Sequence, residues 1–272
     1  LGISRKMTGV FVGSTIHKNQ LREYGFTCPI HVVSLPYGKA DTMSLVTKIP
    51  NKENQVIFAS RLDKEKNPYF LIDVIDKFLS QHPDWNWVMT TSGESFKSNL
   101  PDVVSMFERY SESQPRFKML RNLSKEEYYT EIARSSIMFN CSLQDYVSWT
   151  SIEAHTFGTQ FVCPEFRSFT DFAQPFQMYQ AFDVQSALDT IETAVTHDLF
   201  ELTRDLSTIS DIGRIIETYI MVNGINHEIN IWHEFEYWRS ACAVAFSPCL
   251  RHKTCPACRE QDDDPECLVL TN

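Results

Sequence analysis

The chain has 272 residues, of which 43% are hydrophobic and 22% charged, and its formal net charge is −10. This composition is typical of a globular protein with one large or two modest domains, and the acidity excludes a general electrostatic attraction to nucleic acid or to an anionic membrane. No apolar run approaches the length of a membrane-spanning helix, and the first residues lack the apolar core of a signal peptide.

The first 54 residues contain two strand patterns around one helix pattern. Residues 10–14 and 31–35 predict strands, and residues 17–24 predict a helix that stops at Gly25. Residues 40–54 are polar and irregular, which we interpret as an interdomain linker.

From Val56 to residue 222, strand patterns alternate with helix patterns. The predicted strands are residues 56–60, 87–91, 117–120, 137–141, 161–163 and 178–182. The predicted helices begin at Pro68, Val103, the capping box Ser124 to Glu127, the segment before Gly158, Val184 and Leu199. This alternation predicts an α/β fold, a Rossmann-like doubly wound parallel sheet. Residues 226–246 then form a long amphipathic segment.

The eight cysteines are unevenly distributed. Cys28, Cys141 and Cys163 stand in apolar contexts, as buried free thiols of a reducing compartment do, so we interpret the protein as cytoplasmic. The end of the chain contains a C-x2-C pair, a spacing that suits tetrahedral zinc. The candidate metal ligands are Cys249, Cys255, Cys258 and Cys267. Their full spacing matches no common zinc finger, so a structural zinc and a tail of free thiols both stay open.

Residues 135–163 combine a strand, a polar loop, a helix and a second strand. Asp145 lies in the loop and Glu153 lies eight positions later, inside the helix. Both carboxylates can therefore stand beside the helix N-terminus, where backbone N–H groups favour a phosphate and the acids can accept hydrogen bonds from sugar hydroxyls. An ordinary solvated turn and helix would show the same pattern.

Two cations, Arg61 and Lys66, follow the strand that begins at Val56. They lie at the carboxyl end of that strand, where α/β proteins bind ligands, and fixed cations there would stabilise negative charge on a ligand. Solvated turn cations among neighbouring acids are the simpler interpretation of this stretch taken alone.

Both stretches resemble the donor-binding segments of retaining GT-B glycosyltransferases, the group that includes glycogen and sucrose synthases. The first is VIFASRLDKEKNPYFL, residues 56–71. In the second, Ser142 and Asp145 precede Glu153-Ala154 and a later Gly-Thr in the family's order. The resemblance covers roughly residues 11–183. It implies that residues 1–39 end an N-terminal domain, that residues 40–225 bind the donor, and that residues 226–272 form a final helix and tail.

The resemblance also implies the chemistry. It implies transfer of a sugar, a hexose in this group, from a UDP- or GDP-sugar with retention, and no metal or cofactor is required for catalysis. Arg61 and Lys66 would contact the diphosphate, Asp145 the donor sugar and Glu153 the ribose. Further donor-binding positions are Arg121 and Asn122 near the base, and Ser148, Trp149 and Thr150 near the phosphates. The chain departs from the family where G-F-G is replaced by residues 146–148, YVS.

The acceptor is not predicted, because the resemblance implies an upstream domain that would select it and would carry the family's catalytic histidine. A phage-type glucosyltransferase of modified DNA bases is one alternative within the class, although the acidity disfavours DNA. A catalytically silent nucleotide-sugar-binding or scaffolding module is the alternative from another class. The oligomeric state is not predicted.

Overall fold

The computed structural model describes residue 7 and residues 9–33, 37–202 and 243–246. The chain divides into two compact units, Leu1–Leu35 with Ile212–Asn272, and Pro36–Asp211. The division into residues 1–39, 40–225 and 226–272 stays a prediction.

The first unit contains a small mixed sheet. Strand β1 (Gly9–Val12), helix α1 (Thr15–Glu23) and strand β2 (Ile30–Val32) follow one another, and the two strands pair in parallel. Ala243–Phe246 forms a third strand, antiparallel to β1. The prediction that residues 226–246 form the family's final helix is therefore wrong for these four residues, since this short apolar run pairs with the other edge of β1.

The second unit is built around a six-stranded sheet in which every pairing is parallel. Its strands are β3 (Glu53–Phe58), β4 (Asn86–Thr90), β5 (Phe117–Leu120), β6 (Ser135–Phe139), β7 (Gln160–Pro164) and β8 (Met178–Tyr179). Their order is β5-β4-β3-β6-β7-β8, and β1 and β2 lie in the other sheet. This confirms the predicted Rossmann-like parallel sheet.

Helices precede, connect and follow the strands of this sheet. They are α2 (Lys39–Ser44), α3 (Pro68–Gln81), α4 (Val103–Ser113), α5 (Lys125–Arg134), α6 (Trp149–Thr156) and α7 (Val184–Thr196). Short 3-10 turns lie at Lys64–Lys66, Arg167–Asp171, Pro175–Gln177 and Phe200–Leu202. The predicted linker at residues 40–54 is wrong where α2 forms; Thr42 and Val46 are buried there although the stretch shows no helical apolar period. The helix predicted from Leu199 begins as a 3-10 turn, and its part beyond residue 202 lies outside the described residues.

Side chains cover both faces of the sheet, as the alternation along β3 shows. Val56 and Phe58 belong to the cluster formed with α3, α4 and α7, whereas Ile57 belongs to the cluster formed with α5 and α6. Successive residues of a strand point to opposite faces, so a strand buried on both sides is apolar throughout. The three cysteines predicted as buried free thiols are free and buried.

Local signals fix the helix starts that matter for the site. Ser124 and Glu127 form the predicted capping box, with the Ser124 Oγ accepting from the Glu127 N–H and the Glu127 carboxylate accepting from the Ser124 N–H. Pro68 occupies the first turn of α3. Gly158, at φ +68°, follows the end of α6 in a conformation that favours glycine.

Candidate functional site

The strand order reverses between β3 and β6, which are adjacent in the sheet. From β3 the chain continues outward to β4 and β5, and from β6 it continues the other way to β7 and β8. Ligands of open α/β sheets bind outside the carboxyl ends of the strands at such a reversal. The loops that leave β3 and β6 contain Arg61, Lys66, Ser142 and Asp145, so the predicted phosphate and sugar residues stand at this edge.

Lys66 joins the two loops. Its Nζ donates to the Asp145 Oδ1 at 2.6 Å and to the Ser142 Oγ at 3.0 Å. The Leu143 N–H also donates to the Glu65 carbonyl at 2.7 Å, which holds the loop backbones together. The Lys66 and Asp145 side chains are only 14% and 18% exposed, so this pair is much less screened by water than a surface pair. An ammonium group has three donors, and two have partners among the described residues, which leaves the third for an anion.

Arg61 contacts acids of its own loop. Its guanidinium pairs with Asp63 and, at 3.3 Å, with Glu65, and its side chain is 63% exposed. Asp63 in turn accepts from the Asn99 N–H at 2.8 Å. A phosphate contact by Arg61 therefore stays a prediction. To make it, the guanidinium would have to leave Asp63 and Glu65 or bind the phosphate while it still contacts them.

The start of α6 is closed by hydroxyl groups. The Ser148 Oγ accepts from the Ser151 N–H at 3.3 Å and lies 3.0 Å from the Thr150 Oγ1. The Asn140 Nδ2 donates to the same Thr150 Oγ1 at 3.3 Å. Ser148, which stands where the resembled family has a glycine, is buried. Its hydroxyl accepts the hydrogen bond of one N–H group in the first turn of α6. Trp149 is 36% exposed, and its ring lies 6.2 Å from that of Tyr37.

The predicted base-contacting residues lie after β5. Arg121 pairs with Glu108 at 2.5 Å, and both side chains are exposed. The Asn122 N–H donates to the Gly93 carbonyl at 3.0 Å, and Asn122 has a positive φ of 56°. Asn122 thus shapes a turn beside the loop that leaves β4, and contact with a base stays a prediction.

Glu153 stands in the middle of α6 and is partly buried between tyrosines of α5. The Tyr128 hydroxyl donates to the Glu153 Oε2 at 2.6 Å, and the Tyr129 hydroxyl donates to the Oε1 at 3.4 Å. Burial raises the pKa of Glu153 to about 7, and the two tyrosine hydrogen bonds lower it in part. Neither tyrosine was predicted from the sequence as part of the site, because two aromatic residues on the buried side of a helix look like core alone.

The structure therefore brings some of the predicted residues together and leaves others apart. Lys66 and Asp145 are in direct contact, with Ser142 as a further partner. Arg61 and Arg121 pair with acids near them, and Glu153 binds the tyrosines of α5. The four candidate zinc ligands lie outside the described residues, so zinc binding stays a prediction.

No family model and no curated protein matches the chain. Solved structures do match. A glycosyltransferase from Rickettsia africae superimposes with a TM-score of 0.63 at 13% identity, covering 78% of this chain and 62% of its own. TarM of Staphylococcus aureus, solved with UDP and alpha-GlcNAc-glycerol, superimposes with a TM-score of 0.56 at 13% identity. The match covers 88% of this chain and 45% of the TarM chain.

Sucrose-phosphate synthase from Thermosynechococcus elongatus gives a TM-score of 0.57 at 13% identity, covering 84% of this chain and 58% of its own. The fold is that of GT-B glycosyltransferases. At this identity the likeness shows the fold alone. The chain spans from 45% to 62% of the length of these structures. None of the helices in the described part of the chain is long and apolar enough to cross a membrane.

Proposed function

We propose that the chain is the donor-binding part of a glycosyltransferase that transfers a hexosyl group from a UDP- or GDP-sugar with retention of configuration. The observation that carries the proposal is the Lys66–Asp145 pair at the strand-order reversal, with Glu153 on the helix that follows. In this proposal Lys66 binds the diphosphate, Asp145 binds the donor sugar and Glu153 binds the ribose. The TarM structure was solved with UDP, which supports this donor class.

The diphosphate would bind the third N–H of Lys66. As the glycosidic bond to the diphosphate breaks, negative charge grows on the phosphate oxygens, and a cation already fixed by Asp145 and Ser142 stabilises that charge without reorganising. Partial exclusion of water strengthens this effect. Asp145 is an acceptor for hydroxyl groups of the donor sugar, which would orient the anomeric carbon toward the acceptor.

The retention part of the proposal rests on the resemblance of residues 56–71 and 142–160 to the retaining group. In that group the acceptor attacks on the face that the diphosphate leaves, so no protein nucleophile is needed. Slow hydrolysis of a UDP- or GDP-α-sugar by the 272-residue chain, followed by proton NMR, tests it. The α-anomer of the free sugar should appear first; initial release of the β-anomer would contradict retention.

One observation favours a second function, a catalytically silent nucleotide-sugar-binding module. Ser148 stands where the family has a glycine and hydrogen bonds the Ser151 N–H, so backbone that the family presents to the donor is partly occupied. Binding of UDP-sugars or GDP-sugars without any release of nucleotide, by the chain or by a longer protein that contains it, would favour this function.

Calorimetric titration of the 272-residue chain with UDP, GDP and ADP tests donor binding directly. We expect UDP or GDP to bind, and Glu153→Gln to weaken that binding by about 1.5–3 kcal/mol because a charge-assisted acceptor is lost. Arg61→Ala should slow donor hydrolysis more than it weakens binding if its contact strengthens as the phosphate leaves. Absence of binding by all three nucleotides would overturn the proposal.

A further inference from the structure

The carboxylate of Glu153 is held by α5. Tyr128 occupies the first turn after the capping box of α5, and its hydroxyl is 2.6 Å from the Glu153 Oε2. Tyr129 reaches the other oxygen at 3.4 Å. Each carboxylate oxygen therefore has one phenol donor, and the two donors come from neighbouring residues of one helix.

The rings of both tyrosines are fixed by packing. Their centroids are 5.1 Å apart, and the Tyr129 ring lies 5.5 Å from that of Phe157, just past the end of α6. Both rings pack against the apolar cluster that includes Ala154, the neighbour of Glu153. The hydroxyl positions are therefore set by α5 and the core, and the carboxylate adopts the orientation that meets them.

A carboxylate has about four lone-pair positions, two on each oxygen. One phenol on each oxygen leaves one acceptor position on each, at a spacing that suits two hydroxyl groups on adjacent carbons. The cis-diol of a ribose has this shape. We propose that Tyr128, with Tyr129 beside it, is a positioning residue that aims the Glu153 carboxylate at a ribose diol and keeps it an acceptor. This inference rests on the proposed function.

The charge state supports the same arrangement. Burial raises the pKa of Glu153 to about 7, and the hydrogen bonds from Tyr128 and Tyr129 act in the opposite direction. The titratable groups of the described chain that interact with Glu153 are these two tyrosines and Tyr37. Burial, with Glu153 as a further cause, raises the pKa of all three phenols, so they stay neutral near pH 7. No described cation offsets the burial of Glu153; without its phenol donors the carboxylate would hold its proton to higher pH and would accept more weakly.

The first test needs no nucleotide. The Glu153 side-chain carbonyl is followed by carbon-13 NMR across pH 4.5 to 9 in wild type and Tyr128→Phe, with Glu153→Gln identifying the signal. Tyr128→Phe should move the titration midpoint to higher pH. Tyr110→Phe is the matched control, since Tyr110 donates to the Asp76 carboxylate at 3.0 Å between other helices, and it should leave the midpoint unchanged. An unchanged midpoint in a folded Tyr128→Phe would overturn the inference.

The second test measures the ligand. UDP and GDP, each with its 2′-deoxy analogue, are titrated calorimetrically at pH 6 and pH 8. Wild type should prefer the ribonucleotide by about tenfold or more at pH 8, the scale of one hydrogen bond to a charged group. Tyr128→Phe should reduce that preference severalfold and shift its pH midpoint upward, and Tyr129→Phe should do so less, because its bond is longer.

The outcomes of the two tests separate the inference from the proposed function. Absence of nucleotide binding in wild type overturns the proposed function and the ribose role together, while the NMR titration still decides whether the tyrosines control Glu153. Binding with the same ribose preference in wild type and in folded Tyr128→Phe leaves the proposed function standing and overturns the inference. Tyr128→His keeps a hydrogen-bond donor, so recovery of the preference for the ribonucleotide in this variant would support the inference. If Tyr128 had a purely structural role, the histidine variant should not recover the preference.

Discussion

The two edges of the parallel sheet each hold a lysine in a polar cluster, and the clusters differ in what surrounds the ammonium group. At the carboxyl edge Lys66 binds the Asp145 carboxylate and the Ser142 hydroxyl, which belong to loops. At the amino edge Lys52 binds the Ser135 carbonyl at 2.8 Å and the Thr159 hydroxyl at 2.6 Å.

The amino-edge partners are parts of the framework. Ser135 begins β6 and Thr159 directly precedes β7, and the Thr159 hydroxyl also donates to the Ile132 carbonyl at the end of α5. Lys52 therefore ties three segments together through neutral acceptors. A lysine whose partners are loop side chains with a compensating carboxylate is suited to bind an anion, whereas a lysine bonded to backbone and strand ends stabilises the fold.

Lys66→Met should have the largest effect. We expect UDP or GDP affinity to fall about a hundredfold, because the variant loses a charge-assisted contact and leaves Asp145 unpaired to repel the phosphates. Lys52→Met makes the same substitution at the other edge and is the matched control; its affinity should stay within about twofold of wild type, since it removes no ligand contact. Calorimetry on both variants measures the difference, and equal losses of affinity would contradict a donor site confined to the carboxyl edge.

Glu153→Gln should change how stability depends on pH. The pKa of Glu153 is raised from 4.5 to about 7 by burial, so between these values the folded chain holds a proton that the unfolded chain has lost. The free energy of unfolding of wild type therefore falls as pH rises through this interval, and the glutamine variant lacks this term. Urea denaturation at pH 5 and pH 8 should show the variant gaining about 2 kcal/mol relative to wild type. A pH-independent difference would contradict this assignment.

Lys52→Met should lower the free energy of unfolding by about 1 kcal/mol, since two hydrogen bonds to strand ends are lost. Burial of its ammonium end lowers the pKa of Lys52 from 10.5 to about 7, although the side chain as a whole is exposed. From pH 7 to pH 10 the unfolded chain then binds more protons, so wild-type stability rises with pH in this interval. Urea midpoints at pH 7 and pH 9.5 should show that rise in wild type and a smaller one in the variant.

Ser142→Ala should have the smallest effect. It removes the weaker of the two Lys66 contacts and keeps Asp145, so we expect UDP or GDP affinity to fall by about two- to fivefold. Thr159→Val is its counterpart at the amino edge and should lower stability while leaving affinity unchanged. Ligand affinity that responds to Thr159→Val as strongly as to Ser142→Ala would show that the edges are not functionally distinct.

The contact between Lys66 and Asp145 could be predicted in outline, because residues that follow neighbouring parallel strands emerge at one edge of a sheet. The sheet itself could be predicted because apolar runs of strand length alternate with helical spacing. The hydrogen bond between Glu153 and Tyr128 could not be predicted. It depends on how α5 and α6, which pack on the same face of the sheet, are placed relative to each other, and the sequence pattern of a single helix does not show this.

For other residues the neighbouring sequence does not show which contacts the folded chain makes. Lys52 lies among polar residues just before a strand and looks solvated, and its acceptors lie 83 and 107 positions away. Helix α2 is short and contains threonine and aspartate, so its pattern is typical of a linker although Thr42 is buried. The short loop of Arg61 also contains Asp63 and Glu65, which pair with its guanidinium, so a phosphate contact by Arg61 stays a prediction.

Donor binding at the carboxyl edge can be observed in a crystal structure of the 272-residue chain grown with UDP, or with GDP if that nucleotide binds more tightly. We predict a phosphate oxygen about 3 Å from the Lys66 Nζ and ribose hydroxyls about 2.7 Å from the Glu153 carboxylate, at the carboxyl edge between β3 and β6. A nucleotide bound at the amino edge beside Lys52, or one at the carboxyl edge that contacts neither Lys66 nor Glu153, would contradict it.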